Sequence, residues 1–341
     1  MSQETMTSLN TNTLIGYTGK RGTAWHYRAA EQGAESNHYE GPIPVEDVER
    51  RLFAWEAVEG QITATSISEE GVLSASNPDD FKAIMRSDNG RILGIFRQGY
   101  VGHDYKETLL RRVEQIVDAD LAIGSAGLLK DGARAWVQVE MEDTLSVEGF
   151  EYRPFLTAAT SFDGSLSTTF LTGAQAVVCD NTLSAALTSA ASKFKARHSS
   201  NSLGKLQDAR EALRIVHSVG DAFAAQVREL LAVKVSDRDF QKFLDVHTEL
   251  TPAKVEAKGR ALTTARNKQA ELLRLWRNDS RVAPWAGTAF GVVQAVNTFD
   301  HHLGSVRGGN RVERNMDKAI TGAFDRLDTA TLSTLTSVLA A

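Results

Sequence analysis

Cysteine is nearly absent. The 341 residues contain one, Cys179, which excludes an intrachain disulfide framework and any cysteine-rich zinc or iron–sulfur centre. No apolar run approaches the roughly 20 residues that a membrane helix needs. The polar start, Met1 to Asn12, has neither the basic nor the apolar region of an export signal, so the expected location is the cytoplasm, with no membrane partner. The usual nucleotide devices are also missing: there is no G-x-x-x-x-G-K-[ST] loop and no G-x-G-x-x-G after a strand. Serine-hydrolase elbows, H-E-x-x-H zinc helices and kinase motifs are absent too. The expectation is a protein without cofactor, metal or catalytic residues.

What is present is an ordinary globular composition, 42% hydrophobic and 24% charged with a net charge of −5, long enough to bury a full core unaided. The charge is unevenly spread. Met1–Asp80 holds thirteen acidic residues against five basic ones. Basic residues concentrate in Lys193–Arg214 and again in Lys254–Arg281, and such local charge suits a polyanion partner even when the whole chain is acidic. Residues 1–60 therefore read as an acidic N-terminal arm.

Residues 61–200 read as an α+β core, because apolar and polar residues alternate between turn signals from Ile62 to Val178. Asp88-Asn89-Gly90 divides one hairpin, Lys130-Asp131-Gly132 a second and Asp163-Gly164 a third. Tyr105–Val117 has helical spacing, and Asp180 or Asn181 is placed to cap a helix ahead of Thr182. The order ββ-α-ββββ-α, with connections too short for parallel crossovers, predicts an antiparallel β-sheet with packed helices. After the polar linker Ser199–Ser202, residues 201–341 predict an all-α region, with one helix opening at Thr251-Pro252, one over Ala286–Asp300 and one over Val312–Leu339.

Three local features invite chemistry. Gly124-Ser125-Ala126-Gly127 resembles a nucleotide loop but lies within a strand pattern with no helix after it. Asp300-His301-His302 offers metal-ligand types, yet adjacent residues on a helix diverge by about 100°, and a polar helix C-terminus favouring imidazolium explains them better. Cys179, between strand and helix, reads as a small buried hydrophobe. Basic residues interleaved with aromatics suit nucleic acid, since bases stack on rings while cations follow phosphates. On that pattern the candidate DNA-contacting residues are Arg91, Arg97, Tyr100, Arg111, Arg112, Lys130, Arg134, Lys193, Lys195 and Arg197.

Several segments together resemble a known family. They are Trp25-His26, Arg86–Gly90 with Leu93-Gly94, Tyr100, Ser161–Gly164, Val177–Leu183, and Trp285 with Thr288, Phe290-Gly291, Asn297 and His301 or His302. The chain resembles the phage- and plasmid-like domain-of-unknown-function family 932. That resemblance implies a mobile-element setting near replication and recombination, and it carries over no catalytic residue. The expected layout is also similar to that of phage and eukaryotic single-strand annealing proteins, which work without ATP as rings or filaments. The resulting expectation is an oligomeric protein that binds single-stranded DNA and anneals it in the host cytoplasm. The alternative is a phage or plasmid regulatory or anti-defence protein acting on a host protein, with the acidic arm imitating DNA.

Overall fold

The computed structural model describes residues 3–24, 27–69, 71–76, 80–114, 117, 121–176, 182–183, 193–196, 209–250, 252–257, 259–305 and 311–341. In chain order the elements begin α1 (Gln3–Asn12), β1 (Thr13–Ile15), α2 (Thr18–Arg21), α3 (Val45–Leu52), β2 (Ala57–Gly60), β3 (Thr63–Ser68), β4 (Gly71–Ser76), β5 (Phe81–Arg86) and β6 (Ile92–Arg97). A π-turn, Lys106–Leu110, runs into α4 (Arg111–Glu114). Then come β7 (Leu121–Leu129), β8 (Arg134–Met141), β9 (Leu145–Val147), β10 (Phe150–Ser161), β11 (Thr168–Ala176), β12 (Thr182–Leu183) and β13 (Lys193–Ala196). The rest is helical: α5 (Ala209–Ala232), α6 (Asp237–His247), α7 (Pro252–Ala257), α8 (Arg260–Asn278), α9 (Ala289–Thr298) with a second π-turn at Phe299–Leu303, α10 (Arg311–Ile320) and α11 (Ala323–Leu339).

The fold is α+β, with antiparallel sheets followed by helices. The largest sheet has the order β1-β7-β8-β10-β11-β12, with β9 beside β10 and β13 beside β11. β2-β5-β6 and β3-β4 form two smaller sheets. All three hairpins expected from the turn residues are present, in β5/β6, β7/β8 and β10/β11. No helix among the described residues is long and apolar enough to cross a membrane.

The stretch expected as an acidic arm is instead folded in. β1 pairs with β7, Thr13 opposite Gly127 and Ile15 opposite Ser125, and Leu14, Tyr17, Val48, Leu52 and Phe53 are buried. Counting charge missed this because α3 turns Val48 and Leu52, four residues apart, to one face and leaves its acids on others. The helix cap expected at Asp180 or Asn181 lies outside the described residues, as do Cys179 and the linker 199–202. Thr182–Leu183 is strand and not helix, paired with Gln175 and Ala174. The long helices expected from Thr251-Pro252 and over 312–339 are each divided. Gly259 (φ +119°) separates α7 from α8, and Gly322 (φ +68°) separates α10 from α11, both positive-φ conformations that glycine adopts readily and a helix cannot continue through.

The chain forms two compact units that interleave along the sequence. The first comprises residues 1–142, 156–171 and 193–214. An aromatic group within it, Phe53, Trp55, Tyr105 and Phe162, has Tyr105 and Phe162 stacked at 4.3 Å. The glycines of the loop-like Gly124–Gly127 segment are needed for close approach: a Cβ on Gly124 would lie 2.0 Å from the Glu140 carboxylate, and one on Gly127 2.2 Å from the Trp136 ring. That carboxylate is buried and accepts Arg21 Nη2 at 2.8 and 2.7 Å.

The second unit comprises residues 143–155, 172–192 and 215–341. One of its cores joins Phe240, Phe243, Leu272, Trp276, Val292 and Leu335. The other joins Val147, Phe150, Tyr152 and Ala174 of the strands to Phe223, Val227, Phe290 and Val293 of the helices. A capping box opens α6, with Ser236 and Asp239 satisfying each other's backbone.

Candidate nucleic-acid interface

Four of the expected residues gather in the first unit, where two hairpin turns carry two carboxylates. The β7/β8 turn has three consecutive left-handed residues, Lys130 (φ 51°), Asp131 (φ 58°) and Gly132 (φ 99°), and two of them bear side chains that ordinarily avoid this region. Asp131 accepts Arg91 Nη2 at 2.8 Å. Asp163 accepts Lys130 Nζ at 3.5 Å and Arg134 Nε at 3.3 Å. Burial would raise the Asp163 pKa, but hydrogen bonds from Ser165, the charge of Arg134 and a bond from Ser161 outweigh it and hold the group below the usual carboxylate range. The Tyr100 ring stacks on Phe96 at 3.7 Å, and burial, then the charge of Asp163, pushes its hydroxyl pKa up to about 12.

Arg86, which interleaving with aromatics did not single out, organises this end of the sheet. Its guanidinium lies 4.2 Å over the Trp55 ring, donates to both oxygens of Asp88 at 2.9 and 2.7 Å, and reaches the Asp131 carbonyl at 3.0 Å. Beside it an open cleft of about 480 Å³ is lined by Asn12, Arg86, Asn89, Gly90, Arg91 and Asp131. Its cations are matched by carboxylates nearly one for one.

The other expected residues are dispersed. Arg134 is buried against Asp163 and Ser165, so it presents no guanidinium to a ligand. Arg97 is exposed beside the Phe81 ring, 5.9 Å away. Arg111 sits between Glu114 at 3.0 Å and Glu49 at 3.6 Å, and Arg112 is half-buried in the same short helix. Lys193 and Lys195 lie in β13, opposite Leu171 and Thr169, while Arg197 is outside the described residues.

Excess positive charge collects in the second unit, at the C-terminal end of α9. Residues 311, 314, 315 and 318 of α10 fall on one helical face, while Glu313 and Asp317 fall on another. Arg314 donates to the Asp300 carbonyl at 2.7 Å and the Ser305 carbonyl at 3.0 Å, and Asn315 to the His301 carbonyl at 3.0 Å. These bonds satisfy carbonyls that a helix end leaves unpaired. Lys318 forms an ion pair with the Asp300 carboxylate, and Lys268 of α8 lies 5.5 Å over the Phe299 ring.

Four cations thus share Asp300, and they repel one another. Burial lowers the Lys268 pKa; Asp300 raises it again and Lys318 lowers it further. Burial lowers that of Arg311 as well, with Arg314 adding to the effect. The neighbouring histidines respond in the same sense. Burial, then Lys268, brings His247 down to about 4, and burial, then His302, Lys318 and Arg314, brings His301 to about 3. The expected imidazolium at a polar helix end is therefore corrected for His301, which is buried, neutral and stacked on Phe324 at 3.9 Å. Among the described residues, no group of three or more His, Cys, Asp or Glu is arranged to hold a metal ion.

The profile of a protein family, Domain of unknown function (DUF932), matches residues 92–321. The chain belongs to this family. No curated protein and no solved structure matches it. The matched region takes in β6 to α10, including both the Asp163 turn and the Asp300 cluster. Thr288 caps α9 by accepting from Gly291 N at 3.1 Å and donating to the Trp285 carbonyl at 2.6 Å. Asn297 donates to the buried Asp328 at 3.0 Å.

Proposed function

We propose that this DUF932 chain is an ATP-independent single-stranded-DNA-binding protein of a phage or other mobile element, which assembles as an oligomer and presents strands for annealing in recombination or replication. One observation supports a polyanionic ligand above others: Lys268, Arg311, Arg314 and Lys318 gather around the one carboxylate of Asp300, where burial, and after it a neighbouring cation, lowers the proton affinity of Lys268 and of Arg311. An arriving phosphate relieves that repulsion, so binding is electrostatic and weakens as added salt reduces the gain from releasing counterions. The Arg86–Arg91 cleft, with Asn12 and Asn89 as hydrogen-bonding groups, is a second contact of lower net charge.

The test is fluorescence anisotropy of the full chain with a labelled oligothymidylate over a range of salt. The triple variant Lys268→Gln/Arg311→Gln/Lys318→Gln is expected to weaken binding about uniformly across sequences. Each lost phosphate contact should flatten the logarithmic salt slope by about 0.7. The pair Arg111→Glu/Arg112→Glu, tested alongside, reports on the sheet side. Absence of single-strand binding by the native chain at low salt, or of any acceleration in annealing complementary strands, would overturn the proposal.

A further inference from the structure

Two apolar surfaces of the first unit stand open in the single chain. One is a face of the β2-β5-β6 sheet. The register places Val58, Met85 and Ile92 in line, then Gly60, Ala83 and Ile95, then Phe81 and Arg97, and residues paired across a sheet share a face. On it Val58, Phe81, Ile92 and Ile95 keep 36, 39, 56 and 58% of their surface exposed. The opposite face is covered, with Lys82 and Ile84 buried and Gly94 pressed against the Phe162 carbonyl.

The second surface is the β3-β4 hairpin, whose strands, among the described residues, pair only with each other. Ile67, Leu73 and Val72 are 80, 71 and 68% exposed, more than any other large hydrophobic residue of the described chain. Ile67 and Val72 stand directly opposite one another on one face. A lone two-stranded hairpin is marginal in water, and this one lacks a core of its own. Glu69, which follows Ser68, is exposed at the turn of this hairpin and makes its tip acidic. At one end of the open sheet face Arg97 stands exposed beside Phe81, and at the other Arg91, paired with Asp131, precedes Ile92.

We propose that the β3-β4 hairpin of one chain seats its Ile67–Val72 face on the Val58–Phe81–Ile92–Ile95 face of a second copy, with the acidic tip directed to the Arg97 end. Within one chain both surfaces remain exposed, so the hairpin does not cover its own sheet. A contact joining two different surfaces of the same chain is heterologous and repeats, closing into a ring or extending as a filament. The inference deepens the oligomeric part of the proposed function and does not depend on DNA.

Mass photometry and light scattering on the full chain test it, using Ile67→Asp/Val72→Asp to disable the hairpin and Ile95→Asp to disable the face. The native chain is expected to assemble with rising concentration. Each variant should stay monomeric at concentrations at least 100-fold above those at which the native chain associates. A one-to-one mixture of the two variants should give dimers and nothing larger, because one intact hairpin meets one intact face. A native chain monomeric throughout, as expected if a host protein is the occupant, overturns the proposal. So do a variant that still assembles and a mixture that does not dimerise. Circular dichroism verifies folding, and low-salt anisotropy of the monomeric variants reads single-strand binding separately, so loss of assembly and loss of DNA affinity are distinguished.

Discussion

His301 shows how far a residue's character depends on its surroundings. It ends a run of polar side chains on α9 and the following π-turn, with Gln294, Asn297 and Thr298, all buried. Burial, reinforced by His302, Lys318 and Arg314, brings its pKa down to about 3 from 6.5. The unfolded chain therefore takes up a proton that the fold refuses as pH falls below 6.5. Stability drops with acidification across the window from 6.5 to about 3, by about 1.4 kcal/mol per pH unit where this group dominates. His301→Gln should flatten the dependence of the urea midpoint on pH between 6 and 4, leaving a smaller slope from His247, which is shifted the same way. The slope decides the matter, whatever the variant costs at neutral pH, and parallel curves for native and variant chains would refute the burial argument. Arg134 teaches the same lesson: basic and two residues before Trp136, it has the local pattern of a phosphate contact, but Asp163, 29 positions later, claims it inside the fold.

At the scale of elements, hairpin turns were readable and irregular helix ends were not. Asn89-Gly90, Asp131-Gly132 and Asp163-Gly164 each specify a reversal within a few residues, and each lies where the chain reverses. The π-turns at Lys106–Leu110 and Phe299–Leu303 have no comparable mark, because the widening of a helix there depends on what packs beside it. The start of α9 is more constrained than its sequence suggests. A Cβ on Gly291 would lie 2.2 Å from the Trp285 carbonyl, the same oxygen that Thr288 donates to. Gly291→Ala should therefore destabilise the fold by about 1–3 kcal/mol through overpacking against backbone that cannot rotate away, seen as a lowered melting temperature. Thr288→Ala, which removes only the cap, should cost about 1 kcal/mol. An alanine at 291 that leaves the melting temperature unchanged would mean the α9 entry is loose.

At the scale of the whole molecule, the expected division at residue 201 concerns composition, whereas the compact units draw on separate stretches of chain. Phe150 packs against Phe223, Trp285 and Phe290, and the Tyr152 hydroxyl donates to the Gly220 carbonyl at 3.0 Å. A fragment of residues 201–341 loses Val147, Phe150, Tyr152 and Ala174 from its core. At about 1.5–3 kcal/mol for each large apolar side chain, that loss rivals the whole stability of a typical domain, about 5–15 kcal/mol. The fragment is expected to keep helical circular dichroism but to melt without a sharp transition and to bind a hydrophobic dye. Cooperative melting at the native temperature would show that the helices need no strand partners.

The amino-acid order was sufficient for whatever neighbours in the chain control: the α+β class, three hairpin turns, and membership of a family whose motifs are local runs. Tertiary packing decided which charges are available. It withdrew Arg134 and His301 into the interior, turned an acidic N-terminal stretch into a sheet edge beside β7, and drew Lys268, Arg311, Arg314 and Lys318 from two helices to Asp300. The physical reason is range. A backbone turn is determined by two or three adjacent dihedral angles, whereas the energy of a charge depends on its dielectric surroundings and on partners tens of residues away.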